Sequence, residues 1–261
     1  MLNSLLALAA LAPLLGGTVE DGQAWLQKVE ERMYAWPKPG STVRFQVRTD
    51  MLDTALDLLS KEIEARPDET TAKAIEAMRR MTIKAQVDTS NGNVSVDIDV
   101  PFETDDPARK AGIDKMKQGI TTVVSKSFQG LPLGDASMLG KNMTVLGCEE
   151  RDGIVTVRVG GVRAGDETKI RIDRARLLPE SFENTNYTMQ MTFSEVLPRK
   201  FAPTRLEIQA KGQPKTSADY SYQRVGDLVF PSSVKVVSGD QRATLRFESV
   251  SVKPLAKPAK Q

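Results

Sequence analysis

Thr144-Val145-Leu146-Gly147-Cys148-Glu149-Glu150-Arg151-Asp152-Gly153-Ile154-Val155-Thr156-Val157-Arg158-Val159 reads as two alternating arms around an Asp-Gly dipeptide. Period-two alternation sends one set of side chains to a core and the other to water, and Asp-Gly between such arms signals a two-residue hairpin turn. Centred there, the register places Cys148 opposite Val157 and Leu146 opposite Val159. A slip of one residue would turn the apolar set outward, so apolar residues meeting across the turn argue for this pairing. The same holds around Gly239-Asp240, where Val236 faces Ala243 and Val234 faces Leu245 while Lys235 meets Thr244 on the other side. Between the two hairpins, residues 169–173, 188–193 and 205–210 each carry one apolar and one polar face. Residues 142–253 therefore read as a meander of antiparallel strands, one large and strongly curved sheet.

Upstream, Asn91-Gly92 is flanked by alternation over 82–101 and reads as a further two-residue hairpin. Counting outward pairs Val87 with Val96, Ala85 with Ile98, Ile83 with Val100, and Lys84 with Asp99 on the wet side. Residues 42–49 alternate Val43, Phe45 and Val47 inward with Arg44, Gln46 and Arg48 outward, giving a first strand. Leu26, Val29, Met33 and Trp36 fall at helical spacing over 21–36, with Trp25 beside them and Pro37 ending the pattern. Helical insertions are expected over about 52–81 and 105–128. The first holds two stripes, Leu52, Leu56, Leu59, Ile63 and Ala72, Ile75, Met78, Met81, broken at Arg66-Pro67-Asp68; the second runs from Pro107 to Phe128. The apolar, breaker-rich loop after it, Gln129 to Asp135, suits a gate or a simple tuck under the domain. The fold class is thus α+β, with helices covering one face of the sheet, and residues 18–252 read as a single domain.

Residues 1–17 carry no charged side chain and an apolar run of the length of a signal-peptide h-region, which implies export to a periplasm or cell envelope. Residues 253–261, rich in Lys and Pro, read as a disordered tail. The 36 basic and 34 acidic residues are mixed throughout, leaving a formal net charge of +2 and no field that would attract nucleic acid. One cysteine, Cys148, excludes an intramolecular disulfide and reads as a small core hydrophobe.

There is no histidine, which removes Ser-His-Asp triads, Cys-His pairs and the commonest metal ligand. Ser232 and Lys235 match a Ser-x-x-Lys pattern, but on a strand positions i and i+3 point to opposite faces. Asp88, Asp97 and Asp99, followed by Glu103, Asp105 and Asp106, match no calcium-loop spacing and read as a solvated face. No metal, cofactor or catalytic residue is expected, so the chain reads as a non-enzyme. What remains is apolar surface on a sheet and on several helices. Either the two fill each other, or they enclose a cavity for something long and greasy, with Phe45, Val47, Ile83, Ile98, Met116, Ile120, Val124, Met189, Met191, Leu206 and Ile208 lining it.

The layout resembles the LolA/LolB-like superfamily of periplasmic lipoprotein-sorting carriers. The resemblance rests on the exported N-terminus, the helix at 21–36 leading into Val43-Arg44-Phe45-Gln46-Val47, and the long meander. Within the meander it rests on Ile170-Arg171-Ile172-Asp173 with Leu178-Pro179, and on Asp227-Leu228-Val229-Phe230-Pro231 followed by residues 243–252. It implies a half-open β-barrel whose concave apolar face, lidded by helices, holds the acyl chain of a lipid or lipoprotein. A membrane-associated donor or acceptor protein would then be its partner. The early helices at 52–81 depart from that layout, and none of Arg44, Arg48 or the other arginines can be matched to the family's lid-pinning arginine. The other reading is an envelope interaction or sensing module on the same scaffold with a filled core.

Overall fold

The computed structural model describes residues 18–36, 41–50, 52–53, 56–57, 60–61, 69–90, 92–128, 144–160 and 167–254. The expected signal peptide, the gate-like loop over 129–135 and the tail beyond Pro254 lie outside them. In chain order the elements are α1 (Val19–Arg32), β1 (Ser41–Thr49), α2 (Glu69–Arg79), β2 (Thr82–Asp88), β3 (Val94–Asp99) and α3 (Pro107–Phe128). Then follow β4 (Thr144–Arg151), β5 (Ile154–Gly160), β6 (Glu167–Asp173), β7 (Leu178–Glu183), β8 (Tyr187–Leu197), β9 (Lys200–Ala210), β10 (Thr216–Val225), β11 (Leu228–Ser238) and β12 (Gln241–Pro254). Residues 52–53, 56–57 and 60–61 are also helical, in the first half of the insertion expected there; Leu59 and Ile63 lie outside the described residues.

All strands join one 12-stranded antiparallel sheet in the order β3-β2-β1-β12-β11-β10-β9-β8-β7-β6-β5-β4. From β4 onward each strand pairs with its chain neighbour, and β1 closes against β12 to bring in the upstream hairpin. The sheet is open, with β3 and β4 as its edges.

Both turns that anchored the sequence reading are present. Asp152 and Gly153 take φ of 53° and 79°, the paired positive values of a type I′ turn. Cys148 faces Val157, Val236 faces Ala243, Val234 faces Leu245 and Lys235 faces Thr244. Leu146 does not face Val159. The register shifts between Val145 and Gly147, so Val145 takes the inward place and Leu146 is left 44% exposed. A bulge of this kind adds one unpaired residue and reverses the alternation on one side of it.

The upstream hairpin is corrected too. Ile83 pairs with Ile98, Ala85 with Val96, Val87 with Val94 and Lys84 with Asp97. The faces are as expected but the pairing is displaced by two residues, because the connection is four residues long. Asp88 and Asn93 close it, and the Asp88 carboxylate accepts the backbone N–H and hydroxyl of Ser90. That local side-chain turn wins over the two-residue Asn-Gly geometry.

α1 starts on a capping box: Thr18 Oγ1 accepts the Asp21 N–H at 3.2 Å, and Asp21 Oδ2 accepts the Thr18 N–H at 2.9 Å. It ends at Arg32 rather than at Trp36. Met33 bridges to Phe201 on β9, and the Tyr34 N–H donates to the Phe201 carbonyl at 2.7 Å, so the segment runs beside the sheet with Met33, Tyr34 and Trp36 buried. α1 packs on β4 and β5, where Gly22 allows the approach: a Cβ there would lie 2.7 Å from Val145 Cγ1. α3 starts on Asp106, whose carboxylate accepts the Ala108 N–H at 2.9 Å. Its burial deepens along its length, from Ile113 and Met116 partly covered to Val124 and Phe128 fully buried. β12 extends to Pro254, which faces Ser41, with Lys253 facing Thr42. The tail expected from residue 253 therefore begins its course as strand; a proline is tolerated there at the strand's end.

Candidate functional site

The side chains expected to line a cavity separate into groups. Phe45 lies in an aromatic knot with Phe128, Phe230 and Phe247, all ring centroids 5.2–6.2 Å apart, and Trp36 stacks on Phe230 at 5.9 Å. Val47, Ile83 and Ile98 form a cross-strand row on β1, β2 and β3, each nearly inaccessible. Val124 is fully buried, and Ile120 packs beside it. The β1–β3 end of the core-facing side is therefore filled.

Met116 instead lines a small groove of about 260 Å³ with Met78 of α2, and with Phe102 and Ile113. Leu206 and Ile208 are brought together with Ala218, Tyr220, Val234, Val236 and Ala243 along β9–β12, facing Val123 and Ser127 of α3. Between these walls runs a predominantly apolar trough of about 380 Å³, within the range of roughly 300–1,000 Å³ usual for small-molecule sites. Met191 and Met189 lie opposite Leu206 and Ile208 respectively on the neighbouring strand but are not among the residues that line the trough. Ile208 is 36% exposed, one of few large apolar side chains so placed among the described residues. Toward the Gly239-Asp240 turn the lining becomes polar, with Thr216 and Ser238 hydroxyls 2.9 Å apart and Gln241 and Arg242 beyond.

The strands that frame the trough do not pair along their whole length. β9 and β10 are hydrogen-bonded only from Arg205–Asp219 to Ile208–Thr216, and β11 and β12 only from Ser233 onward. Side chains close the unpaired stretches. Tyr222 donates its hydroxyl to the Pro203 carbonyl at 2.7 Å across the β9/β10 split, and Gln223 Nε2 donates to the Phe247 carbonyl at 3.1 Å. Desolvation raises the pKa of Tyr222 and pushes that of Tyr220 up to about 12, so both phenols keep their protons at neutral pH.

Residues 216–225, which contain Tyr220, carry their own alternation: Ala218, Tyr220 and Tyr222 against Asp219, Ser221 and Gln223. The expected site did not include them, although that pattern was available. Cys148 is buried on β4, where burial and, secondly, the Asp21 charge push its thiol pKa up, which makes it an inert core group. Arg44 and Arg48 face water, as expected, and Arg48 pairs with Glu248 at 2.8 Å. Among the described residues no cluster of His, Cys, Asp or Glu could hold a metal ion, and no helix is long and apolar enough to cross a membrane. Compared with family models, with curated proteins and with solved structures, the chain has no match in any of the three.

Proposed function

We propose that this chain is an exported, non-enzymatic carrier in the LolA/LolB-like manner, a half-open barrel that shields an acyl chain of a lipid or lipoprotein between its curved sheet and α3. The observation that carries the reading is the apolar trough between β9–β12 and Val123 and Ser127 of α3. Each methylene buried there would contribute about 0.8 kcal/mol before ordering costs, so affinity needs no reacting group. The export part of the reading rests on the uncharged apolar run of residues 1–17.

The aromatic knot favours a second reading for the other end of the molecule. With Phe45, Phe128, Phe230 and Phe247 in mutual contact the core-facing side is filled at β1–β3, so a carrier that shelters its cargo on that side uses its β9–β12 part. An interaction module with a filled core would use neither. Native mass spectrometry of the protein from Thr18 onward, purified without detergent from an exporting host, separates the two. A bound species of lipid mass that leaves on denaturation supports the carrier. A clean apo mass, unchanged after incubation with phospholipid or acylated peptide, removes it in favour of an interaction module.

A further inference from the structure

β3 is an edge of the sheet, paired with β2 through six successive residue pairs and with no other strand. Two hydrogen bonds fix which way its backbone points. The Thr89 N–H donates to the Ser41 carbonyl on the β1 side, and the Asp88 N–H donates to the Asn93 carbonyl on the β3 side, at 2.9 Å each. Alternating onward from them, Ser95, Asp97 and Asp99 exchange hydrogen bonds with β2, while Val94, Val96 and Ile98 turn their N–H and C=O groups to the open side. These outward groups have no partner among the described residues. Proteins commonly blunt their sheet edges, and β4, the opposite edge, is blunted: its register shifts between Val145 and Gly147, and it ends in exposed Glu149, Glu150 and Arg151. β3 has no bulge, proline or lysine, and the half-buried Val94 and Val96 carry the core out to its rim.

We infer that this edge takes a second copy of the chain, the two β3 strands pairing antiparallel about a two-fold axis at Val96 to continue one sheet through both molecules. A two-fold normal to a sheet leaves each face on its own side, so facing residues differ by an even number and few registers remain. Centring on Asp97 sets two carboxylates directly opposite, and centring on Ile98 sets Asp97 against Asp99 twice, both destabilising. Centring on Ser95 or Val94 carries Ile98 beyond the partner's β3 into the turn that precedes it. Centred on Val96, every β3 residue is faced. Val96 meets Val96 and Val94 meets Ile98 on the core side, while Asp97 meets Ser95 and Asp99 meets Asn93 on the wet side. The outward backbone groups of Val94, Val96 and Ile98 then all find partners. An edge contact of this size implies weak association, with a dissociation constant on the order of 0.1 mM.

Sedimentation equilibrium of the purified protein tests it. The weight-average mass of the wild type should climb toward that of a dimer between about 10 μM and about 1 mM. Val96→Pro removes an N–H that bonds nothing among the described residues, at an edge position where proline is tolerated. It should leave the thermal midpoint within a few degrees of wild type and hold the protein monomeric across that range. Single cysteines read the register. Two copies of Val96→Cys would lie about 5.5 Å apart at Cα, within disulfide reach, whereas two copies of Val94→Cys would be offset by four residues, about 14 Å. Cys148 is buried, so diamide should link Val96→Cys into a covalent dimer at least about tenfold faster than Val94→Cys. Should Val96→Pro fail to fold, this pair of cysteines decides alone. A wild type that stays monomeric to about 1 mM, a folded Val96→Pro that dimerises like it, or equal cross-linking at the two cysteine positions overturns the inference. Any of these leaves the carrier reading standing, since the edge lies apart from the trough.

Discussion

Trp36 donates its indole N–H to the carbonyl of Val229 at 3.2 Å, across 193 residues of chain. The Tyr34 hydroxyl accepts the N–H of that same Val229 at 2.8 Å. Val229 lies in the half of β11 that has no partner on β12, since pairing there begins at Ser233. Two side chains from the segment after α1 thus satisfy both backbone groups that the sheet leaves open, and they seat the N-terminal segment on the aromatic knot through Phe230.

This bracket should be worth more than its contact area. Trp36→Phe keeps a ring near Phe230 but leaves the Val229 carbonyl unpaired in the core, for an expected loss of about 2–4 kcal/mol. Tyr34→Phe removes only an acceptor and should cost about 1–2 kcal/mol. Urea unfolding midpoints at constant slope measure both; losses below about 0.5 kcal/mol would show that the bracket is not a constraint on the fold.

Gly22 offers a test of how α1 sits on the sheet. In an exposed helix interior Gly→Ala stabilises by up to about 1 kcal/mol. Gly112 and Gly119 in α3 have nothing within 4 Å of an added Cβ, so Gly112→Ala and Gly119→Ala should each raise the thermal midpoint. Gly22→Ala should lower it instead. Its Cβ would meet Val145 Cγ1 at 2.7 Å, and a β-branched side chain on a strand cannot swing aside, so overpacking of about 1–3 kcal/mol outweighs the helix gain. Opposite signs at Gly22 and Gly112 are the expected outcome of parallel melts.

The trough's role can be separated from its stability by filling it. Ala218→Phe adds a ring on the floor between Leu206 and Val236, in space that the protein leaves empty. The expected result is loss of acyl-chain binding of at least about tenfold with an unfolding midpoint within about 1 kcal/mol of wild type. Filling at Val96, on the β3 edge far from the trough, should leave binding unaltered.

What alternation and turn chemistry encode was legible: the I′ turn at Asp152-Gly153 set Cys148 against Val157, and the Gly239-Asp240 turn set Val236 against Ala243. Alternation cannot show a bulge where two apolar residues adjoin, as at Val145-Leu146, because either can serve as the inward one. It also hid the bulge on β12, where Ser249 takes φ of 52° as β1 passes from Arg44 to Gln46. Helical spacing carried α1 too far because Met33 and Trp36 do stay buried, but they are held by β9 and Val229 rather than by another helical turn. The knot joining Phe45, Phe128, Phe230 and Phe247 draws on four distant segments in a chain only 5% aromatic, and nothing local marks it. The candidate site was legible for Leu206 and Ile208, while Tyr220 emerged only once β10 was in place beside them.

The buried phenols predict how stability responds to alkaline pH. Tyr220 titrates at about 12 in the folded protein because burial disfavours the phenolate, against about 10 in an unfolded chain. Between those values the native state holds more protons than the unfolded state, so the slope of unfolding free energy with pH is negative. The contribution is fully present below pH 10 and is lost as pH rises to about 12. Two pH units of displacement correspond to roughly 2–3 kcal/mol. Tyr34 and Tyr222 shift in the same direction and steepen the fall. Lysines titrate in the same window, so the informative quantity is the difference between proteins. Tyr220→Phe removes one of the titrating groups, and its unfolding free energy should decline less steeply than wild type from pH 10 to 12, with the two curves diverging only above pH 10. Parallel curves across that window would mean that the Tyr220 hydroxyl is solvated in the trough rather than buried in its wall.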